Sequence, residues 1–129
     1  MSGRTRLVLV DDSPTVLSLL QLLFEGDNYE VATARDGKEG LEKIREWQPD
    51  LIVTDSVMPK VDGFELLRMV RRDPATRDIP VILLTGSDQA DHPQTAGLQP
   101  DAVASKSSEW SELLALARNL LQARPVRSV

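Results

Sequence analysis

Aspartates stand at the ends of two short apolar runs, and a lysine stands at the end of a third. Leu7-Val8-Leu9-Val10 runs into Asp11-Asp12, Leu51-Ile52-Val53-Thr54 into Asp55, and Ala102-Val103-Ala104-Ser105 into Lys106. A further run, Val81-Ile82-Leu83-Leu84, ends at Thr85. In an open parallel α/β sheet, ligands bind in the crevice beyond the carboxyl ends of the strands. Three acids, a hydroxyl and a lysine gathered there suit a divalent cation together with a phosphoryl group. Magnesium takes octahedral oxygen ligands, commonly one or two carboxylates plus waters and a phosphate. A carboxylate can also act as the nucleophile of phosphoryl transfer and form an aspartyl phosphate. The metal and the lysine then neutralise charge on the equatorial oxygens, which is most of what such catalysis requires.

Each of these residues has an ordinary reading when taken alone. An Asp before a helix often caps it, but Ser13-Pro14 already supplies a cap and a first-turn proline, which leaves two adjacent acids surplus. Acids that close repel one another unless a cation intervenes. Asp55 alone is a strand-end turn residue, Thr85 a β-branched strand residue and Lys106 a solvated lysine; together they are far more specific. The first turn, Asp11-Asp12-Ser13-Pro14, is glycine-free and acidic. It is neither a Walker loop nor a dinucleotide turn, and it would repel a bare phosphate.

The elements that must position these groups alternate between short β-like runs and helix-period segments, the pattern of repeated β-α units. Ser13-Pro14 opens a helix with Val16, Leu19, Leu20, Leu23 and Phe24 at helical spacing, and Gly26 is expected to close it. Residues 29–34 read as a strand. Asp36 opens a helix carrying Leu41, Ile44 and Trp47, ended by Pro49. Beyond Asp55, a loop with Met58-Pro59 and Asp62-Gly63 leads to a helix with Phe64, Leu67 and Val70, and Pro80 begins the next strand. The last helix is predicted from about Ser108 to Ala123, with Trp110, Leu113, Leu114, Ala117, Leu120 and Leu121 on one face. Residues 88–101 contain Pro93, Gly97, Pro100 and hardly any apolar side chain, so the fourth helix is expected to be irregular or shortened. Five strands and four or five helices give a doubly wound α/β fold with right-handed crossovers. One domain is expected over residues 1–123, with 124–129 as a frayed tail.

Composition narrows the function classes. The 129 residues carry a net charge of -5, which argues against a direct grip on a nucleic-acid backbone. With one histidine (His92, read as a loop residue between Asp91 and Pro93) and no cysteine, a zinc site is not expected. No run of about 18 apolar residues suggests a membrane helix, and the cysteine-free chain fits a cytoplasmic location.

The runs VLVDDSP at 8–14, DLIVTDSVMPKVDGFELL at 50–67, PVILLTG at 80–86 and the strand ending at Lys106 resemble the receiver domains of two-component response regulators. The resemblance covers nearly the whole chain. It implies a flavodoxin-like (CheY-like) five-stranded parallel sheet of order 2-1-3-4-5. It also implies Asp55 as the phosphoacceptor, and Mg²⁺ held by the side chains of Asp12 and Asp55 and the backbone carbonyl of Val57, with Asp11 assisting. Thr85 would be the switch hydroxyl and Lys106 the ammonium partner of the phosphate. The implied partners are a sensor histidine kinase or phosphotransfer protein and a downstream protein, and the domain would signal and not act as a conventional enzyme. The other reading is a pseudo-receiver, an interaction module with the same fold that does not switch by phosphorylation; a flavodoxin-like cofactor protein is opposed by the acidic first turn. Three departures stand out. Val103 replaces the usual aromatic three residues before the lysine, and Ser107 replaces the proline after it. The stretch between Thr85 and Lys106 is proline-interrupted and slightly short. All three fall on the face by which family members commonly signal or dimerise.

Overall fold

The structure, a computed structural model, describes residues 4–56, 58, 61–85, 100–106 and 109–123. The elements run β1 (Thr5–Val10), α1 (Pro14–Gly26), β2 (Tyr29–Ala34), α2 (Gly37–Trp47), β3 (Leu51–Asp55), α3 (Gly63–Arg72), β4 (Val81–Thr85), β5 (Ala102–Ser105) and α4 (Trp110–Ala123). All four strand pairings are parallel, and the sheet order is β2-β1-β3-β4-β5, as the sequence led us to expect. The order of strands reverses at β1, which makes the gap between the ends of β1 and β3 the switch point where such sheets bind ligands.

Strand alternation divides the core into two layers. Leu7, Leu9, Leu51, Val53, Ile82 and Leu84 face Leu17, Leu20 and Phe24 of α1 and Leu113 and Ala117 of α4. Val8, Val10, Ile52 and Val81 face Ile44 of α2 and Leu66, Leu67 and Val70 of α3. Because both faces are covered, β3 and β4 are buried along their whole length, which explains their unbroken apolar runs.

A side-chain cap opens each of three helices; those at Ser13 and Asp36 are the ones the sequence predicts, while Asp62-Gly63, expected in the loop, forms the start of α3. Ser13 Oγ accepts from the Val16 N–H at 3.3 Å, Asp36 from Glu39 at 2.8 Å and Asp62 from Glu65 at 2.9 Å. The end of α1 differs in detail: Gly26 remains helical, and the left-handed residue of the turn is Asn28, with φ 72°. Asparagine tolerates that conformation because its short polar side chain bonds locally. Gln48 ends α2 in the same region, with φ 49°, directly before Pro49.

β5 is held beside β4 by Asp101. Its N–H donates to the Val81 carbonyl at 2.9 Å, and its carboxylate accepts from the Val81 N–H at 2.8 Å and from Arg71 at 2.6 Å. Arg71 also donates to the carbonyls of Arg77 and Ile79, so one guanidinium ties α3, the turn before β4 and the start of β5 together. Helix α4 begins at Trp110, beyond the expected start near Ser108. Four features read from the sequence lie outside the described residues: the irregular 88–101 segment except Pro100 and Asp101, the Val57 carbonyl, Ser107 and the 124–129 tail. His92 does as well.

Candidate functional site

Alternation along the strands decides which strand-end side chains meet. Asp11 continues the parity of Leu7 and Leu9, Asp55 that of Leu51 and Val53, and Lys106 that of Ala102 and Ala104. Those residues all belong to the layer facing α1 and α4. The three charged groups therefore emerge on one side of the sheet at its carboxyl edge.

They meet there. Lys106 Nζ lies 3.0 Å from Asp55 Oδ2 and 3.2 Å from Asp11 Oδ2. Asp11 is 1% exposed and Asp55 5%, so two carboxylates share a nearly dry site. The turn into α1 supplies further support, as the Ser13 N–H donates to Asp11 Oδ1 at 2.9 Å. Asp12 faces solvent, yet one oxygen from each of Asp11, Asp12 and Asp55 can be chosen within 4.8 Å of one another. Burial works against the Lys106 charge, but the hydrogen bond to Asp55 and the charges of Asp11 and Asp55 outweigh it. The lysine pKa is raised above its ordinary value.

The donor set fits a small hard cation. It is all oxygen, it carries three formal negative charges, and it is open to solvent on the Asp12 side. Asp11 Oδ2 is buried, and among the described residues its one polar neighbour at close range is Lys106, at 3.2 Å. A buried carboxylate oxygen with spare acceptor capacity is what a metal ligand needs.

Thr85 is buried at the end of β4, and its carbonyl accepts from the Lys106 N–H at 2.9 Å. That bond fixes the lysine's backbone beside the end of β4. Thr85 has the opposite strand parity from Lys106, shared with Val81 and Leu83. Val103 on β5 is 53% exposed.

Two residues beside the site carry roles that the sequence does not announce. Gly63, expected as a loop glycine, is the first residue of α3; a Cβ on it would lie 2.2 Å from the Asp55 carbonyl oxygen. Only glycine lets α3 begin this close to the end of β3. Thr54 is fully buried, and its hydroxyl donates to the Asp55 carbonyl at 3.0 Å. The Asp-Gly pair at 62–63 was a visible signal for the first; nothing in the sequence marked the second.

The sequence profile of the response regulator receiver domain matches residues 7–118. The chain is 38% identical over 118 residues to the DNA-binding dual master transcriptional regulator RpaA of a Synechocystis species, an overlap of 91% of this chain and 49% of that protein. It is 38% identical over 84 residues to protein PilH of Pseudomonas aeruginosa, covering 65% of this chain and 69% of that one. Thus the chain spans about half the length of RpaA and more of PilH. Among solved structures, the receiver domain of a signal transduction histidine kinase from Syntrophus aciditrophicus superposes with a TM-score of 0.85 at 31% identity, covering 97% of this chain and 96% of that one. A response regulator receiver domain protein from Clostridium thermocellum gives 0.83 at 29% identity, covering 92% and 94%. The chain belongs to the receiver domain family of response regulators, the signalling domains of two-component systems.

Proposed function

We propose that the domain accepts a phosphoryl group on Asp55 in a Mg²⁺-dependent reaction and changes its affinity for a downstream protein as a result. The observation that carries this reading is the contact of Lys106 with both buried carboxylates, 3.0 Å from Asp55 and 3.2 Å from Asp11. A buried acid at the switch point, with its ammonium already in place, is suited to covalent chemistry and poorly suited to a passive interaction module.

The chemistry is a displacement at phosphorus. An Asp55 carboxylate oxygen forms the new O–P bond while the bond from phosphorus to the donor nitrogen breaks. The donor imidazole of a histidine kinase or phosphotransfer protein leaves with the electron pair and is reprotonated by water. Lys106 stays within reach of the phosphoryl oxygens, and its raised pKa keeps it cationic at neutral pH. Asp12 and Asp55 would hold Mg²⁺ by their side chains, with Asp11 assisting and the Val57 carbonyl as a further ligand by family resemblance. When bound, the metal supplies positive charge against the phosphoryl oxygens. Thr85, at the end of the neighbouring strand, is the hydroxyl assigned to the phosphorylated state.

No helix among the described residues is long and apolar enough to cross a membrane. We place the domain in the cytoplasm, with proteins and not nucleic acid as its direct partners. The test is intact-mass analysis after incubation with phosphoramidate, with Mg²⁺ or with EDTA. One added phosphoryl group is expected with Mg²⁺ and none with EDTA. No addition under either condition, with acetyl phosphate as second donor, would overturn the reading.

A further inference from the structure

The peptide unit that joins Asp55 to Ser56 is held at both of its polar ends. Its carbonyl oxygen accepts from Thr54 Oγ1 at 3.0 Å, and its N–H donates to the Leu84 carbonyl at 2.9 Å. Gly63 packs against the same unit, since a Cβ there would come within 2.2 Å of the carbonyl oxygen and 3.0 Å of the carbonyl carbon. One residue on, the Ser56 carbonyl accepts from the Gly63 N–H at 3.0 Å. Strand β3 fixes the chain before Asp55, and these contacts fix it immediately after. The Cα–Cβ direction of Asp55 is thereby determined from both sides.

Thr54 is the side chain that closes this clamp. It is fully buried, and the pleat places it opposite Asp55, towards the layer that contains Ile52 and α3. A hydroxyl in such a place costs desolvation unless it is hydrogen-bonded, and valine would fill the same volume without that cost. The adjacent Ser56 hydroxyl is just as buried and has no hydrogen-bond partner among the described residues, so a hydroxyl here is not automatically engaged.

We propose that Thr54 is a positioning residue for phosphoryl acceptance, its hydroxyl locking the 55–56 peptide so that the Asp55 carboxylate stays aligned with Lys106. The inference rests on the phosphoacceptor reading of Asp55 and adds a residue outside the metal and phosphate ligand set. Small displacements of a reacting group reduce rates steeply, a shift of about 1 Å costing on the order of a hundredfold.

The experiment compares Thr54→Val, Thr54→Ser and Ser56→Ala for the rate of phosphorylation by phosphoramidate at saturating Mg²⁺, with Tm recorded by circular dichroism. Thr54→Val should be slowed about tenfold or more at temperatures where it is fully folded, while Thr54→Ser, which keeps the donor, should stay within about threefold of wild type. Ser56→Ala removes a hydroxyl that has no partner among the described residues, and it should be unchanged in rate. A purely structural role would lower Tm and leave the rate of the folded protein intact. Should Thr54→Val fail to fold, Thr54→Ala is read in the same way. The inference is overturned if Thr54→Val matches wild type, if Thr54→Ser is as slow as Thr54→Val, or if Ser56→Ala is slowed equally. A wild type that neither phosphoramidate nor acetyl phosphate labels refutes the phosphoacceptor reading itself, and this inference with it.

Discussion

Replacing Lys106 by methionine removes the cation between Asp11 and Asp55 and keeps most of the aliphatic stem. The two carboxylates, 1% and 5% exposed, then lose the cation that lies between them. Removing one partner of a fully buried ion pair costs about 3–5 kcal/mol. The Lys106 side chain is 30% exposed, so water already screens part of the interaction. A loss of about 2–3 kcal/mol in metal-free protein at pH 7 is the reasonable figure after that discount. For a domain of this size it corresponds to a fall in Tm of roughly 6–15 °C. Mg²⁺ should stabilise the variant more than the wild type, since it restores positive charge where Lys106 was lost. The assay is urea unfolding in EDTA and in Mg²⁺ between pH 5 and pH 8. A variant within about 0.5 kcal/mol of wild type across that range in EDTA would refute the claim that Lys106 neutralises the acidic pair.

Further expectations follow from the same geometry. In the wild type, Mg²⁺ held only by the native state should add about 2.7 kcal/mol at a hundredfold excess over its dissociation constant. Asp12→Ala should abolish that gain in thermal melts; a Tm indifferent to Mg²⁺ in the wild type would contradict it. Gly63→Ala forces a Cβ within 2.2 Å of the Asp55 carbonyl oxygen and should cost roughly 1–3 kcal/mol by denaturant titration, as overpacking does. Because the Lys106 pKa is raised, its contribution is fully present below the unfolded lysine value and is lost as pH climbs through the folded one. An NMR titration of the lysine side chain should therefore find Lys106 the last of its type to deprotonate among solvent-exposed comparators. Val103 is 53% exposed and stiff about its first torsion, so it makes a poor two-position relay. With beryllofluoride, amide shifts should be large over 55–63 and 85–92 and small over 103–115; large shifts along α4 would show that another element carries the signal.

Much of the site was legible because strand ends are legible. Apolar runs that stop at Asp11, Asp55 and Lys106 announce three strand termini, and period-two alternation then places all three charges on one side of the sheet. Helix starts at Ser13 and Asp36 were equally local, since a cap and the N–H it binds are three residues apart. What escaped was either long-range or a matter of close approach. The Arg71–Asp101 bridge spans 30 positions and looks in sequence like two surface charges. Gly63 was visible as a turn former, but its reason for being glycine is the Asp55 carbonyl, which only the packing of α3 on the end of β3 supplies. Gly26 was expected to end α1 because glycine is the commonest helix terminator. The left-handed residue fell instead on Asn28, two positions later, where the chain turns into β2.

The central claim is that Asp55 is the single phosphoacceptor of this pocket, and reductive trapping tests it most directly. Borohydride converts an aspartyl phosphate to homoserine, which marks the acceptor in a peptide map after treatment with phosphoramidate and Mg²⁺. The account predicts homoserine at position 55 alone, absent from EDTA controls and from Asp55→Asn. Homoserine at position 11 or 12, or trapping that persists in Asp55→Asn, would contradict it.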